Sequence, residues 1–220
     1  MQDDIFEIQE ADQWFLRNKE YILSKKADED ICIQQIKQLP NLKKITSVIE
    51  LGASKGYMLN FLKTILPNCK TFVGMDASKL AVEDGEKRYN IKMYQDTLLN
   101  FKLNEKFDLV IVNFVLHWID RANIFKCISN IDFFTDNNGK LVLGDFAPYY
   151  PYKRKYKHYT IENVYTFKNN YENVFLSLNT YKLISKYVFN QDNINEPVDN
   201  SNSASVVILE KNTDGYYPEQ

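Results

Sequence analysis

Glycine is scarce in this chain, cysteine scarcer and histidine almost missing, and each shortage removes a class of function. The 220 residues hold three cysteines, Cys32, Cys69 and Cys127, odd in number and widely spaced. Such a set suits neither a disulfide framework nor a zinc site of paired thiolates. It reads as the reduced, buried thiols of a cytoplasmic protein. Only His117 and His158 offer imidazoles, so no metal centre is expected. Charge of one sign is lacking too: 27 basic against 29 acidic residues leave a net charge of −2. No global field draws the chain to nucleic acid or to an acidic membrane surface. The acidic opening MQDDIFEIQE has no apolar stretch and is not a signal peptide, and no apolar run approaches membrane-spanning length. What remains is an ordinary composition, 45% apolar, at a length that suits one α/β domain.

The seven glycines are placed rather than scattered. Five of them, Gly52, Gly56, Gly74, Gly139 and Gly144, stand at the edges of apolar β-like runs. There a backbone must turn sharply or approach a ligand. Residues 1–40 read as helical. Asp30 precedes Ile31, Ile33, Ile36 and Leu39 at close to helical spacing, and Pro40 stops the run. Ser47–Leu51 is a short strand ending at Gly52. Met58, Leu59, Leu62, Ile65 and Leu66 then form a helical stripe closed by Pro67. Thr71–Met75 is the next strand; Asp76 ends it and Ser78 caps a helix to Tyr89. Lys92–Tyr94 is a short third strand, and Phe107–Asn113, the most apolar run, is a central parallel one. Asp120 is expected to cap a helix carrying Ile124, Phe125, Ile128 and Ile131, before Asn138-Gly139 turns into a strand over Lys140–Leu143. Residues 147–178 are rich in Tyr, Asn and Lys and lack clean periodicity. Two late strands follow, near Tyr181–Phe189 and Ser205–Leu209, with a polar loop between them. Strands alternating with helices predict a doubly wound, mostly parallel α/β sheet of seven strands with helices on both faces. The chain divides into a helical cap at 1–40 and an α/β domain at 41–220 with an insertion at 147–178.

Four features of this pattern carry chemistry. The strand-turn-helix from Val48 through Glu50, Gly52, Ala53 and Ser54 to Gly56 presents backbone N–H groups to a nucleotide-like ligand. Asp76 lies twenty residues beyond Gly56, at the carboxyl end of the second strand, where a carboxylate accepts both hydroxyls of a ribose. Asp96, followed by Thr97 after the third strand, can accept from an exocyclic adenine amine. The fourth strand ends at Asn113 and Phe114, so these residues and the following His117-Trp118 should border a site.

Together these residues resemble class I S-adenosylmethionine-dependent methyltransferases. Glu50 to Gly56 is similar to the family's first motif, Gly74-Met-Asp76 to the second, Gln95-Asp96-Thr97 to the third and Phe107-Asp108-Leu-Val to the fourth. The resemblance covers roughly residues 45–146 and the last two strands, and it implies that these two form an antiparallel hairpin at the sheet edge, with the last strand antiparallel. One departure is Ser54, where the usual motif has a middle glycine; a serine there is expected to keep a negative φ. Trp14-Phe-Leu-Arg17-Asn18, with the stretch from Asp145 to Lys153, more narrowly resembles small bacterial methyltransferases often found with surface-polysaccharide genes.

The resemblance implies an enzyme that binds S-adenosylmethionine, releases S-adenosylhomocysteine and uses no metal. Its cofactor site would comprise Arg17, Glu50, Gly52, Ala53, Ser54, Gly56, Asp76, Ala77, Asp96, Thr97, Asn113 and Phe114, with Arg17 on the cofactor's carboxylate. The acceptor would be a small molecule, an oxygen of a sugar, sugar phosphate or related surface-glycan precursor, and neither nucleic acid nor membrane. His117 and Asp145 are the candidate bases, both expected just past strand ends. Trp14, Tyr149, Arg154, Tyr156 and His158 are the candidate acceptor contacts, with residues 147–178 as the acceptor-side cover. Two other functions compete: a non-catalytic cofactor-binding protein on the same scaffold, and a nicotinamide-dependent oxidoreductase. The second lacks its Gly-x-Gly-x-x-Gly phosphate cradle here.

Overall fold

Strands form where the apolar runs predict them. The computed structural model describes residues 2–159 and 164–219. One parallel set comprises β1 (Ser47–Leu51), β2 (Thr71–Asp76), β3 (Lys92–Gln95), β4 (Phe107–Asn113) and β5 (Thr135–Phe146). Two further strands, β8 (Tyr181–Asn190) and β9 (Ser203–Lys211), complete a seven-stranded sheet of order β3-β2-β1-β4-β5-β9-β8. The last strand in sequence, β9, is antiparallel to both neighbours.

Alternation along each inner strand explains why the sheet is covered on both sides. Val48, Leu109, Ile111 and Val142 face one core, which also takes residues of α3 (Ile31–Lys37), α4 (Tyr57–Ile65) and α5 (Lys79–Tyr89). Ile49, Leu51, Val110, Val112 and Leu143 face the other, built on α6 (Ile124–Phe134) and α7 (Glu172–Leu176). Strands buried on both faces read as near-continuous apolar runs, as these do. Strand order reverses between β1 and β4, and ligands bind outside the carboxyl ends of strands at such a switch point.

The expected cap at Ser78 forms, accepting from the Ala81 N–H, and Asp30 likewise caps α3 by accepting from the Ile33 N–H. The cap expected at Asp120 does not form. Helix α6 begins at Ile124 after Asn123, and Asp120 instead accepts from the Ala122 N–H in the preceding turn, at 3.0 Å. The backbone N–H of Asp120 is engaged by Asp3, at 2.8 Å. That contact belongs to a strap the sequence did not reveal. The chain opens with α1 (Gln2–Ile5), a π-helical turn at Phe6–Glu10 and α2 (Ala11–Ser24). The Gln2 amide donates to the carbonyls of Trp118 and Tyr165, each at 2.7 Å, and Asp3 also accepts from the Asn123 amide at 2.7 Å. The strap thereby crosses the carboxyl ends of the central strands.

The aperiodic stretch at 147–178 contains a hairpin of β6 (Tyr152–Lys155) and β7 (Tyr165–Lys168), followed by α7; residues 160–163 of it lie outside the described residues. Among the described residues, no helix is long and apolar enough to cross a membrane, and no group of three or more His, Cys, Asp or Glu is placed to hold a metal.

Candidate functional site

The turn after β1 is fixed from two sides. Both Gly52 and Ala53 donate to the carbonyl of Met75, at 2.7 and 2.9 Å. Gly52 has φ 83°, and a Cβ there would overlap the Val115 side chain, so no other residue fits. Ser54 departs from expectation: its φ is 49°, not negative. The left-handed conformation points its N–H at Asp76, which accepts it at 2.6 Å. A charge-assisted bond of this kind offsets the roughly 1–2 kcal/mol that an L-residue loses in that region. The Ser54 hydroxyl has no hydrogen-bond partner among the described residues. Ser54→Gly is therefore expected to relieve strain without losing a bond. The greater freedom of the unfolded glycine chain returns about 0.4–1 kcal/mol of that gain. A melting temperature higher by about 1–3 °C should appear in a thermal scan, and a lower one would contradict the strain argument.

Beyond the turn, Asp76 and Asp96 line a cavity of about 140 Å³ with Phe6, Trp14 and Thr97. Asp76 also accepts from the Ser78 N–H at 2.9 Å. Capping α5 falls to the Ser78 hydroxyl, so the carboxylate is not consumed by that task. Burial raises the Asp76 carboxyl to about 6, against the opposing pull of its two backbone N–H bonds. Asp96 donates its N–H to the Asp76 carbonyl at 3.1 Å and accepts from the Thr97 N–H at 2.7 Å.

A wider cavity of about 610 Å³ continues the cleft; Trp14, Gly52, Ser54, Asn113, Phe114 and Trp118 border both parts. Its floor is polar. The Tyr57 hydroxyl donates to Asp30 at 3.2 Å and accepts from the Lys25 ammonium at 3.0 Å, while Lys25 lies 3.6 Å from the same carboxylate. Beside them Glu50 is 2% exposed, and its Oε2 has no hydrogen-bond partner among the described residues. Burial first, then the charges of Asp30 and Asp76, hold the Glu50 carboxyl well above the usual carboxylate range. Asp30, which caps α3, thus also faces this cavity.

Across the cleft, His117 and Asp145 come together. His117 lies on a 3₁₀ turn, Leu116–Trp118, and Asp145 inside β5 rather than past its end. The imidazole Nδ1 is 2.9 Å from Asp145 Oδ1, and the His117 backbone N–H donates to Oδ2 at 3.2 Å. The carboxylate fixes the Nδ1–H tautomer, leaving Nε2 as a proton acceptor. Burial lowers the His117 pKa, with Asp145 opposing it. Phe114, which precedes this turn, has φ 56° and donates its N–H to the Gly144 carbonyl at 2.7 Å. A bulky residue held left-handed beside a cleft is the kind of strain that collects at functional sites. Gly144 lies against the Asn113 carboxamide, and a Cβ there would displace it.

Other expected residues lie elsewhere. Arg17 pairs with the buried Glu10 and donates to the Tyr156 hydroxyl at 2.8 Å; it lines neither cavity. Tyr156 donates to Glu10 at 2.6 Å and sets its ring edge-on to Trp118, 4.4 Å between centroids. His158 packs on Tyr156, Arg154 is exposed on β6, and Tyr149 donates to the Val198 carbonyl at 3.0 Å. None of these four lines either cavity, because the insertion folds back as a hairpin against Trp118 and the N-terminal strap. Tyr21, Ile22, Phe189, Gln191 and Ile194 wall the wider cavity instead. Gly85 was also missed: its Cβ would overlap the Lys55 carbonyl, so only glycine lets α5 pack on the turn. A lone glycine inside a helical pattern was the available signal.

A family of methyltransferase domains matches residues 49–141. No curated protein matches the chain. Several solved structures share the fold. The N-methyltransferase NodS from Bradyrhizobium japonicum, in complex with S-adenosylhomocysteine, is 16% identical, with a TM-score of 0.57 over 89% of this chain and 97% of that one. The 1,6-didemethyltoxoflavin-N1-methyltransferase from Burkholderia thailandensis, with 1,6-didemethyltoxoflavin and S-adenosylhomocysteine bound, is 10% identical, with a TM-score of 0.63 over 91% and 86%. An S-adenosylmethionine-dependent methyltransferase from Mesorhizobium loti is 13% identical, with a TM-score of 0.62 over 84% and 100%.

Proposed function

We propose that this chain, an S-adenosylmethionine-dependent methyltransferase by its methyltransferase domain and fold, moves the cofactor's methyl group onto an oxygen of a small-molecule acceptor, with His117 as the base. The observation that carries the reading is the His117–Asp145 pair on the wall of the cleft that Asp76 and Glu50 line. The residues present fit the cofactor. Glu50 offers a buried carboxyl oxygen, without a partner among the described residues, suited to an ammonium, and a Cβ at Gly52 would overlap Val115. Asp76 would take the ribose hydroxyls and Asp96 the adenine amine, with Gly52, Ala53, Ser54, Gly56, Ala77, Thr97, Asn113 and Phe114 around them. Lys25 and Tyr57 would take the carboxylate that the sequence had given to Arg17, whose guanidinium is committed to Glu10. When bound, S-adenosylmethionine supplies a methyl group already activated by its sulfonium. The protein's part is to position and to move one proton. Nε2 of His117 takes the proton of an acceptor hydroxyl, while Asp145 holds the ring and stabilises the imidazolium. The N-terminal helices act as a cap that excludes water.

The acceptor we favour is a sugar, sugar phosphate or related surface-glycan precursor. Support comes from the subgroup resemblance of Trp14 to Asn18 and Asp145 to Lys153, and from the flat faces of Trp14, Tyr21 and Trp118 on the wider cavity. Its contacts then come from α2 and residues 189–194 rather than from the 147–178 insertion. Calorimetry with S-adenosylhomocysteine tests the cofactor half. Asp76 must be ionised to accept both hydroxyls, and its folded-state pKa is raised to about 6. Affinity is therefore expected to climb as pH rises through about 6 and to level off above it. In the cofactor-free protein the sign for stability is opposite. A raised acid favours the folded state at low pH, and that contribution is lost as pH rises from the unfolded value towards 6. Affinity flat from pH 5 to 8, or tighter binding of NAD, would remove this assignment.

A further inference from the structure

Behind the His117–Asp145 pair stands a cation that the proposed reaction does not use. Lys168, the last residue of β7, is 5% exposed. Its ammonium sits over the ring of Phe146, 2.7 Å from the centroid. That ring in turn meets the His117 imidazole edge-on, 4.9 Å between centroids. Phe146 also gives its backbone N–H to Asp145 Oδ1, at 2.8 Å, the oxygen that holds His117 Nδ1. Lysine, aromatic ring, carboxylate and imidazole therefore form one buried cluster, assembled from a hairpin, a strand and a 3₁₀ turn.

We propose that Lys168 is a positioning residue for the base: its ammonium, fixed over Phe146, competes with His117 for the negative charge of Asp145 and keeps the imidazole in its neutral, proton-accepting form. A carboxylate alone beside a histidine favours the imidazolium, which cannot accept a proton. Burial of the ring works against that preference first, and a second cation in the same cluster adds to it without touching the acceptor. The charged and titratable neighbours are Asp145 on β5, Lys168 on β7, Arg154 on β6, Arg121 ahead of α6 and Tyr171 ahead of α7. Of these, Asp145 alone favours the imidazolium, while Lys168 and Arg121 oppose it. Burial brings Lys168 itself down to about 7, with Asp145 raising it and Arg154 lowering it, so its charge changes within the working range while that of Arg121 does not.

The inference rests on His117 being the base, and its test is read without any acceptor. The chain has two histidines, so ¹⁵N NMR of the imidazoles in the protein saturated with S-adenosylhomocysteine resolves both, and His158→Gln assigns them. The parent His117 should titrate below its ordinary value. Lys168→Met and Lys168→Gln, which keep length and lose charge, should raise that midpoint by about 0.5–1 pH unit. Lys168→Arg should hold it at or below the parent value. An unmoved midpoint in the neutral variants, or an equal rise in Lys168→Arg, overturns the proposal. So does loss of the fold in both neutral variants, which would make the lysine a structural residue. Should His117 prove dispensable for turnover while these midpoints move as stated, the electrostatic link stands and only the base assignment falls.

Discussion

Turnover in His117→Ala is expected to fall about 10²–10⁴-fold while affinity for S-adenosylhomocysteine stays near that of the parent. The imidazole sits on the wider part of the cleft and takes no part in the turn at Gly52 or the acids at Asp76 and Asp96. Asp145→Asn should lose activity on a similar scale for a different reason. The carboxylate accepts from the His117 side chain, the His117 backbone and the Phe146 backbone. A carboxamide must turn its N–H₂ towards one of these donors, which either frees the ring or selects the wrong tautomer. Single-turnover transfer from radiolabelled cofactor to a panel of small hydroxyl compounds reads the effect. Losses under threefold in both variants would mean that the acceptor oxygen arrives already ionised, and the base role would be withdrawn.

For Asp76→Ala the expected result is a loss of cofactor affinity of about 10²–10⁴-fold, read by calorimetry with S-adenosylhomocysteine. A hydrogen bond to a charged group contributes about 1.5–3 kcal/mol, and the carboxylate is positioned to accept two from a ribose. The damage should extend beyond those two bonds. Asp76 also holds the Ser54 N–H, so its removal strands a buried donor and releases a left-handed residue from its restraint. Asp76→Asn keeps the shape and one acceptor, and it should fall between the parent and the alanine variant. Unchanged affinity in Asp76→Ala would end the ribose assignment.

These two sites differ in how far they could be read from the sequence. The glycine turn, Asp76 and the inner strands are local features, set by period, turn chemistry and spacing within about thirty residues. The turn and the inner strands form as expected, and Asp76 stands at the end of β2. The His117–Asp145 contact was legible only as two separate residues, because what joins them is β5 pairing beside β4. The contacts of Arg17 with Glu10 and Tyr156 escaped the sequence for the same reason. Glu10 is seven residues away, but Tyr156, which completes that cluster, is 139 residues distant and comes from a stretch with no periodic signal. Ser54 was misjudged because its φ answers to a carboxylate 22 residues later rather than to its own preference. Lys168 looked like one more lysine in a polar insertion, and only the fold of the hairpin buries it.

The place of β9 has a consequence in time. All of its residues but Glu210 are buried, and it lies between β5 and β8, both made before it. During synthesis, the edge of β5 therefore stays open and β8 has no strand to pair with until residues 203–211 emerge. Contacts that wait for a distant segment are slow to form, and unpaired edges are where chains associate with one another. The nascent chain thus passes through a stage in which the parallel half is complete and its apolar flank uncovered. Arrival of one strand ends that stage, joining the two halves of the sheet in a single step.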